Sequence, residues 1–371
     1  MGRDRGDLQR WPWAVDPIRR LDLVTASGAR TLVSSPERYF SDALGDVRLR
    51  LSSNIFPLLR RLADGEIHSS RELSAALNVS PSVLRSGMRA VEKLGLRVQG
   101  LRGQAYRLTE PLDLLDGERL ARLTPPALAV ELLDQCPSTN GVLMDRARGG
   151  VRHALVVVCE RQTAGRGRRG NRWQSGIGTD LTFSVLWNFA QSVGTLSGLS
   201  LALGVALVRA LERLGYPGVQ LKWPNDLVLR GRKLGGILIE VTGQPGGPST
   251  VIAGIGLNLQ WSEARSAAVD QPATGLFEAS ATVTPRTTLL AGLLVELHSA
   301  LERFALAGFA PFRSDWLRYH AWQGRRVTLR IAQRTVADGE AVGIDDDGAL
   351  LVRSARGVES FHSGELRLAG R

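Results

Sequence analysis

Residues Glu160 to Trp173 alternate glycine with arginine, directly after the apolar run Ala154 to Cys159, which reads as a buried strand. Glycines bring backbone N–H groups close to a ligand, and guanidinium groups grip oxyanions through paired, charge-assisted hydrogen bonds. The loop from Gly165 to Gly170 is therefore suited to phosphate. Taken alone it reads as well as a solvated basic turn or a nucleic-acid contact. A second block sets Lys222, Trp223, Pro224, Asn225 and Asp226 between two apolar runs, and Lys233 follows after a short turn. Polar groups thus cluster at strand ends, where clefts form. A third block, Val251 to Leu259, is a strand with glycines at 254 and 256 and an asparagine at 258, a pattern that predicts close backbone approach to a neighbour or a ligand.

In this order and spacing, with Cys136-Pro137-Ser138-Thr139-Asn140 upstream, the blocks resemble those of the bacterial biotin protein ligases, specifically the bifunctional type that also represses biotin synthesis. The resemblance covers roughly Asn54 to the C-terminus. It implies an ATP-dependent enzyme that makes biotinyl-5'-AMP and passes biotin to a lysine of the biotin carboxyl carrier protein of acetyl-CoA carboxylase, with Mg²⁺ accompanying ATP. Ser138, Thr139, Asn140, Gln162, Arg166, Gly167, Arg168 and Lys233 are then the biotin-binding residues, although Ser138 to Asn140 read from sequence alone as a helix cap. Arg166, Trp173, Lys222, Asn225 and Asn258 fall on the nucleotide side. Trp173 is either a stacking surface for adenine or a core residue. Arg168, Lys233 and Asp226 are the catalytic candidates, with Asp226 orienting or deprotonating the acceptor amine or simply closing a turn. Ser175-Gly176 departs from the family pattern, in which a proline commonly follows the serine. Lipoate protein ligase is the rival enzyme; its arginine-pair and triple-glycine signature is absent here.

The elements that must position these groups read as α+β. Strands are predicted near 130–133, 154–159, 181–187, 219–223, 226–229, 235–241 and 251–259, with helices near 140–147, 196–214 and 288–307. Several adjacent strands are joined by loops too short for a crossover helix, so the sheet is expected to be mixed. The catalytic domain spans 124–322. After it, five short strands over 323–371 predict a small barrel, SH3-like by the resemblance. Residues 51–110 read as a winged helix-turn-helix: Ser70 is expected to cap a second helix, Ser80-Pro81 opens a third, and Gly95 follows it. That third helix would present Ser82, Arg85, Ser86 and Arg89 to operator DNA, or else the domain serves protein contacts only. Residues 110–123 read as a linker, and 1–50 as a weakly ordered extension.

The chain has 371 residues, 43% of them hydrophobic, and a net charge of +11, so two or three cores and anionic partners are expected. Its two cysteines, Cys136 and Cys159, have no metal-ligand spacing with histidine, and no signal peptide or membrane-length apolar segment is evident, which predicts a reduced cytoplasmic protein with no structural metal and no membrane partner. By the resemblance, adenylate would promote a homodimer.

Overall fold

The structure, a computed structural model, describes residues 55–369 except 152, 244, 245, 268, 270, 282 and 333. The extension expected over residues 1–50 lies outside the described residues. The first elements are α1 (Phe56–Leu62), β1 (His68–Ser69), α2 (Ser70–Ala76), α3 (Pro81–Lys93), β2 (Val98–Leu101) and β3 (Ala105–Leu108). Ser69, not Ser70, caps α2: its hydroxyl accepts from the Glu72 N–H at 3.1 Å while the Glu72 carboxylate accepts from the Ser69 N–H. A capping box of this kind satisfies two N–H groups that the helix cannot pair internally. Ser80 caps α3 as its sequence predicts, accepting from the Val83 N–H with Pro81 in the first turn. One apolar face of each helix closes a core of Leu58, Leu59, Leu62, Leu73, Leu84, Met88 and Val91 over the antiparallel sheet β1–β3–β2. β1 is a strand that the sequence reading lacked, being only two residues long.

The stretch read as a linker is not featureless. It contains α4 (Gly117–Leu123), capped by Asp116, whose side chain accepts from the Arg119 N–H at 2.9 Å, and Leu120 is fully buried. Its single buried leucine is too short a period to signal a helix. There follow β4 (Ala129–Cys136), α5 (Thr139–Arg148), β5 (Leu155–Gln162), β6 (Asp180–Phe189), α6 (Leu199–Arg213), β7 (Val219–Lys222), β8 (Asp226–Leu229), β9 (Arg232–Gly243), β10 (Ser249–Asn258), α7 (Glu263–Ser266), α8 (Arg286–Ala307) and α9 (Arg313–Tyr319). Seven strands form one sheet in the order β4–β5–β6–β10–β9–β8–β7. β4 and β5 are parallel and every other pair is antiparallel, so the sheet is mixed. Alternate residues of each strand serve opposite faces: Val157, Leu186 and Ile252 pack with Leu143 of α5, while Val156, Val158, Phe183 and Val185 belong to the core shared with α6 and α8.

The last five strands, β11 (Arg326–Ile331), β12 (Arg334–Ile344), β13 (Leu350–Ser354), β14 (Gly357–Phe361) and β15 (Glu365–Leu368), make an antiparallel sheet in the order β14–β13–β12–β11–β15. Its inner residues Val327, Leu329, Ala341, Ile344 and Leu350 merge with the main core. At the seam His320 is buried, stacked on Trp316 at 4.5 Å, with Nδ1 3.2 Å from Gln323 Oε1.

One ion pair is buried on both sides. Arg286, at the start of α8, meets Glu160 of β5 at 2.9 Å, and both side chains are 1% exposed. Arg286 also donates to the Asp180 carbonyl through Nε (3.2 Å) and NH2 (2.7 Å) and to the Asp113 carbonyl through NH1 (2.6 Å). Its backbone N–H donates to the Asp113 carboxylate at 2.7 Å, and Glu160 accepts from the Leu115 N–H at 2.5 Å. The segment before α4, β5, β6 and α8 are thereby tied at one point.

Removing one partner of a buried, hydrogen-bonded pair strands the other charge. Arg286→Met is expected to lower unfolding free energy by about 3–5 kcal/mol in urea titration; a loss under about 1 kcal/mol, the range of exposed pairs, would contradict the account. His320 gives a second expectation. Burial holds its imidazole down to about 4, whereas in the unfolded chain it titrates near 6.5. Between those values only the unfolded chain takes up the proton, so His320 favours folding fully above pH 6.5 and loses that contribution as the pH falls towards 4. The full swing is about 3 kcal/mol. His320→Gln should flatten the acid limb of stability measured between pH 4.5 and 7; an unchanged slope would exclude this origin.

Candidate active site

The N-terminus of α5, the Gly-Arg loop, the β7–β8 turn and the ends of β9, β10 and β15 open onto one cavity of about 700 Å³. Every residue that the sequence assigned to ligand, nucleotide or catalysis lines it: Ser138, Thr139, Asn140, Gln162, Arg166, Gly167, Arg168, Trp173, Lys222, Asn225, Asp226, Lys233 and Asn258.

The floor is built on β10. A Cβ at Gly254 would come 2.1 Å from Asn140 Oδ1, and one at Gly256 would come 2.4 Å from the Trp173 indole. Only glycine lets both side chains lie directly on the strand. Asn140 is held from three sides: its Nδ2 donates to Glu240 Oε2 at 2.7 Å and, at 3.4 Å, to the Leu238 carbonyl, and its Oδ1 accepts from Ser184 at 2.6 Å. Ser184 Oγ is also 2.6 Å from Thr139 Oγ1, and Gln162 Oε1 accepts from the Thr139 N–H at 2.7 Å. Thr139 and Asn140 are therefore more than caps. Ser138, the N-cap of α5, makes no side-chain capping bond.

Four of the cations lining the cavity have partners drawn from the sheet or its flank. Arg166 pairs with Glu240 at 3.0 Å, Arg168 donates to Asn225 Oδ1 at 2.8 Å, and Lys233 lies 2.8 Å from Asp226. The Lys222 ammonium sits 4.9 Å from the Trp322 ring centre. Asn225 is fixed by mutual bonds with Ile237, its Nδ2 donating to the carbonyl at 2.8 Å and its own carbonyl accepting the N–H at 2.9 Å. Burial lowers the pKa of Lys222, with Asp226 opposing and Lys233 adding to the effect. Arg168 is lowered as well, by burial and then by the neighbouring Arg169, with Asp226 opposing. A cavity that holds cations at a desolvation cost gains from an anion that neutralises them. Asn258 faces the cavity from the end of β10, its Nδ2 donating to the Thr274 carbonyl at 3.2 Å.

The sequence reading missed several members of the site. Ser184, between Phe183 and Val185, and Glu240, between Ile239 and Val241, carry a faint signal as polar residues set between apolar neighbours. Trp261, Glu365 and Arg367 also line the cavity, and nothing in their local sequence sets them apart. Outside the cavity, Ser82, Arg85, Ser86 and Arg89 are all exposed on α3, opposite its buried Leu84, Gly87, Met88 and Val91.

A mixed sheet whose strand ends gather cations, amides and glycines around one cleft defines a protein that binds an anionic small molecule. Residues 132–258 match the biotin/lipoate A/B protein ligase family and residues 324–366 the biotin protein ligase C-terminal domain. The bifunctional ligase/repressor BirA of Salmonella typhimurium is 36% identical over 312 residues, 84% of this chain and 96% of that protein. The biotin–[acetyl-CoA-carboxylase] ligase of Paracoccus denitrificans is 33% identical over 64% of this chain and all of its own length (100%). Among solved structures, the biotin protein ligase from Aquifex aeolicus in complex with biotin and ATP aligns with a TM-score of 0.56 and 28% identity, over 65% of this chain and 99% of that one. The chain belongs to the biotin protein ligase family.

The β10 floor can be tested directly. Gly256→Ala must push the Trp173 ring aside, and overpacking of this kind costs about 1–3 kcal/mol. Urea titration should register that loss together with a changed tryptophan emission; an unaltered spectrum would mean that the indole does not rest on the strand.

Proposed function

We propose that the chain is an ATP-dependent biotin protein ligase that also acts as a biotin-responsive repressor. The observation that carries the first part is the convergence of Arg166, Arg168, Lys222 and Lys233 with the Ser138–Asn140 turn in one cavity, in a member of this family. A carboxylate does not acylate an amine at neutral pH because its oxygen is a poor leaving group. In the first step a biotin carboxylate oxygen forms a bond to the α-phosphorus of ATP and the bond to pyrophosphate breaks, giving biotinyl-5'-AMP. In the second, the amine of an acceptor lysine bonds to the acyl carbon, the acyl C–O bond breaks, AMP departs and the amine gives up a proton. No enzyme nucleophile is needed; alignment and fixed positive charge do the work.

In this reading Ser138, Thr139, Asn140 and Gln162 hold the polar ureido head, with Arg166 and Gly167 closing over it. Lys233 and Arg168 meet the carboxylate and the α-phosphate, exchanging Asp226 and Asn225 for ligand oxygens. Lys222, Asn225 and Asn258 serve the nucleotide. Trp173, two positions along β10 from the seat of Asn140, walls the junction between the biotin and adenylate halves. Asp226, released from Lys233, faces the acceptor amine. Mg²⁺ arrives with the triphosphate: of the cavity carboxylates, Asp226 is engaged by Lys233 and Glu365 by Arg367, and among the described residues no three His, Cys, Asp or Glu side chains group as a metal site. The acceptor is the biotin carboxyl carrier protein of acetyl-CoA carboxylase, by analogy with the named relative.

For the second part, α1–α3 and the sheet β1–β3–β2 are read as a winged helix-turn-helix over 51–110, ahead of a catalytic domain at 124–322 and an SH3-like domain at 323–371. The exposed Ser82, Arg85, Ser86 and Arg89 would contact operator DNA, and adenylate would favour a homodimer. A cytoplasmic location is part of this reading; among the described residues no helix is long and apolar enough to cross a membrane.

Mass spectrometry of a biotin carrier domain incubated with the protein, Mg-ATP and biotin should show one added biotinyl group, and none from lipoate. Lys233→Met is expected to slow transfer about 1000-fold, roughly 4 kcal/mol of barrier. A lipoylated product, or full activity without Lys233, would overturn the assignment.

A further inference from the structure

Two segments cover the cavity, the Gly-Arg loop running to Gly176 and the stretch Gln260–Ser266 that follows β10, and both end on one carboxylate. Asp180, the first residue of β6, has a side chain only 1% exposed. Its Oδ1 accepts from Arg265 NH1 at 2.8 Å, and its Oδ2 from Arg265 NH2 at 3.0 Å and from the Gly176 N–H at 2.7 Å. The same two terminal nitrogens also reach the two covering segments, NH2 donating to the Gln174 carbonyl at 3.1 Å and NH1 to the Gln260 carbonyl at 3.0 Å. Its guanidinium lies 4.2 Å from the ring centre of Trp261, whose indole N–H donates to Ser266 Oγ at 2.8 Å. Gln174 and Trp261 line the cavity. Behind Asp180, its own carbonyl accepts from the buried Arg286, so the anchor cannot drift without disturbing the core.

We propose that Arg265 is a positioning residue: clasped on Asp180, it pins both covering segments at once, and the strength of this clasp sets how long the activated acyl-nucleotide stays in the cavity. The inference rests on the ligase reading. The fork geometry matters as much as the charge, because a planar guanidinium bonds both carboxylate oxygens and still reaches two carbonyls, which an ammonium cannot do. Arg265 touches no reacting atom in this account. Its loss leaves the cations and amides of the cavity in place and changes how readily the cover opens, so escape of the intermediate rises while capture of biotin, seated deeper against β10, is largely kept.

The experiment uses the full chain with biotinol-5'-AMP, a phosphodiester analogue that lacks the reactive acyl carbonyl. Dissociation is followed by stopped-flow chase, and biotinyl-5'-AMP released to solution from biotin and Mg-ATP without acceptor is measured by chromatography. Arg265→Met is expected to release the analogue at least about 10-fold faster, because opening of covering segments can set the rate of release, and to leak adenylate while the KM for biotin changes little. Arg265→Lys, which keeps the charge and the fold's electrostatics, should fall between the two. Wild-type release rates in both variants would overturn the clasp. If the wild-type protein neither binds the analogue nor forms adenylate, it is the ligase reading that has failed, not the clasp.

Discussion

Arg166, Arg168, Lys222 and Lys233 share one cavity with Arg169, Arg172 and Arg367, and like charges do not gather unless something holds them. The first four are held by partners that an incoming ligand could replace: Glu240 for Arg166, the Asn225 amide for Arg168, Asp226 for Lys233 and the face of Trp322 for Lys222. Burial works against the charge on Lys222 and on Arg168, so holding them there carries a cost that an anion of the right shape removes. The sheet order, the β10 glycines and the cross-ties around Arg286 can all be understood as the means of keeping that arrangement in place.

The mixed sheet supplies the geometry. The antiparallel pairing of β9 with β10 sets the start of β9 beside the end of β10, the β7–β8 turn reaches the same cleft from the other end of β8, where Asp226 lies against Gly236, and the one parallel pair, β4 with β5, delivers the start of α5 and the Gly-Arg loop. Glycines at 254 and 256 then let Asn140 and Trp173 lie flat on β10 rather than stand off it. Ser184, central and buried in β6, orients Thr139 and Asn140 from below. Function is thus laid on the sheet as a layer of polar side chains whose own hydrogen bonds are nearly all made within the protein.

Much of this was legible in the sequence because the informative residues travel in blocks. Arg166 to Trp173, Lys222 to Asp226 and Val251 to Asn258 each combine glycine or proline with charge at the end of an apolar run, and that contrast marks a strand leading into a cleft. The rest was illegible for a physical reason: it lies in pairings between distant residues. Asp180 and Arg265, or Glu160 and Arg286, look like any surface charges until the fold buries them against each other. Glu365 and Arg367 reach the cavity from another sheet altogether. Helix α4 was read as linker because only Leu120 is fully buried on it, and Ser69 lost its cap to Ser70 because either serine satisfies the local pattern.

The central claim is that the cavity's positive charge is held at a cost and repaid by ligand, and a melting experiment on Lys222→Met with and without biotinol-5'-AMP tests it most directly. Removing a desolvated cation should raise the melting temperature of the empty protein, while the rise produced by the ligand should shrink, because stabilisation by a ligand follows its affinity for the folded state. A variant that melts below the wild type when empty, yet keeps the full ligand-induced rise, would contradict the account.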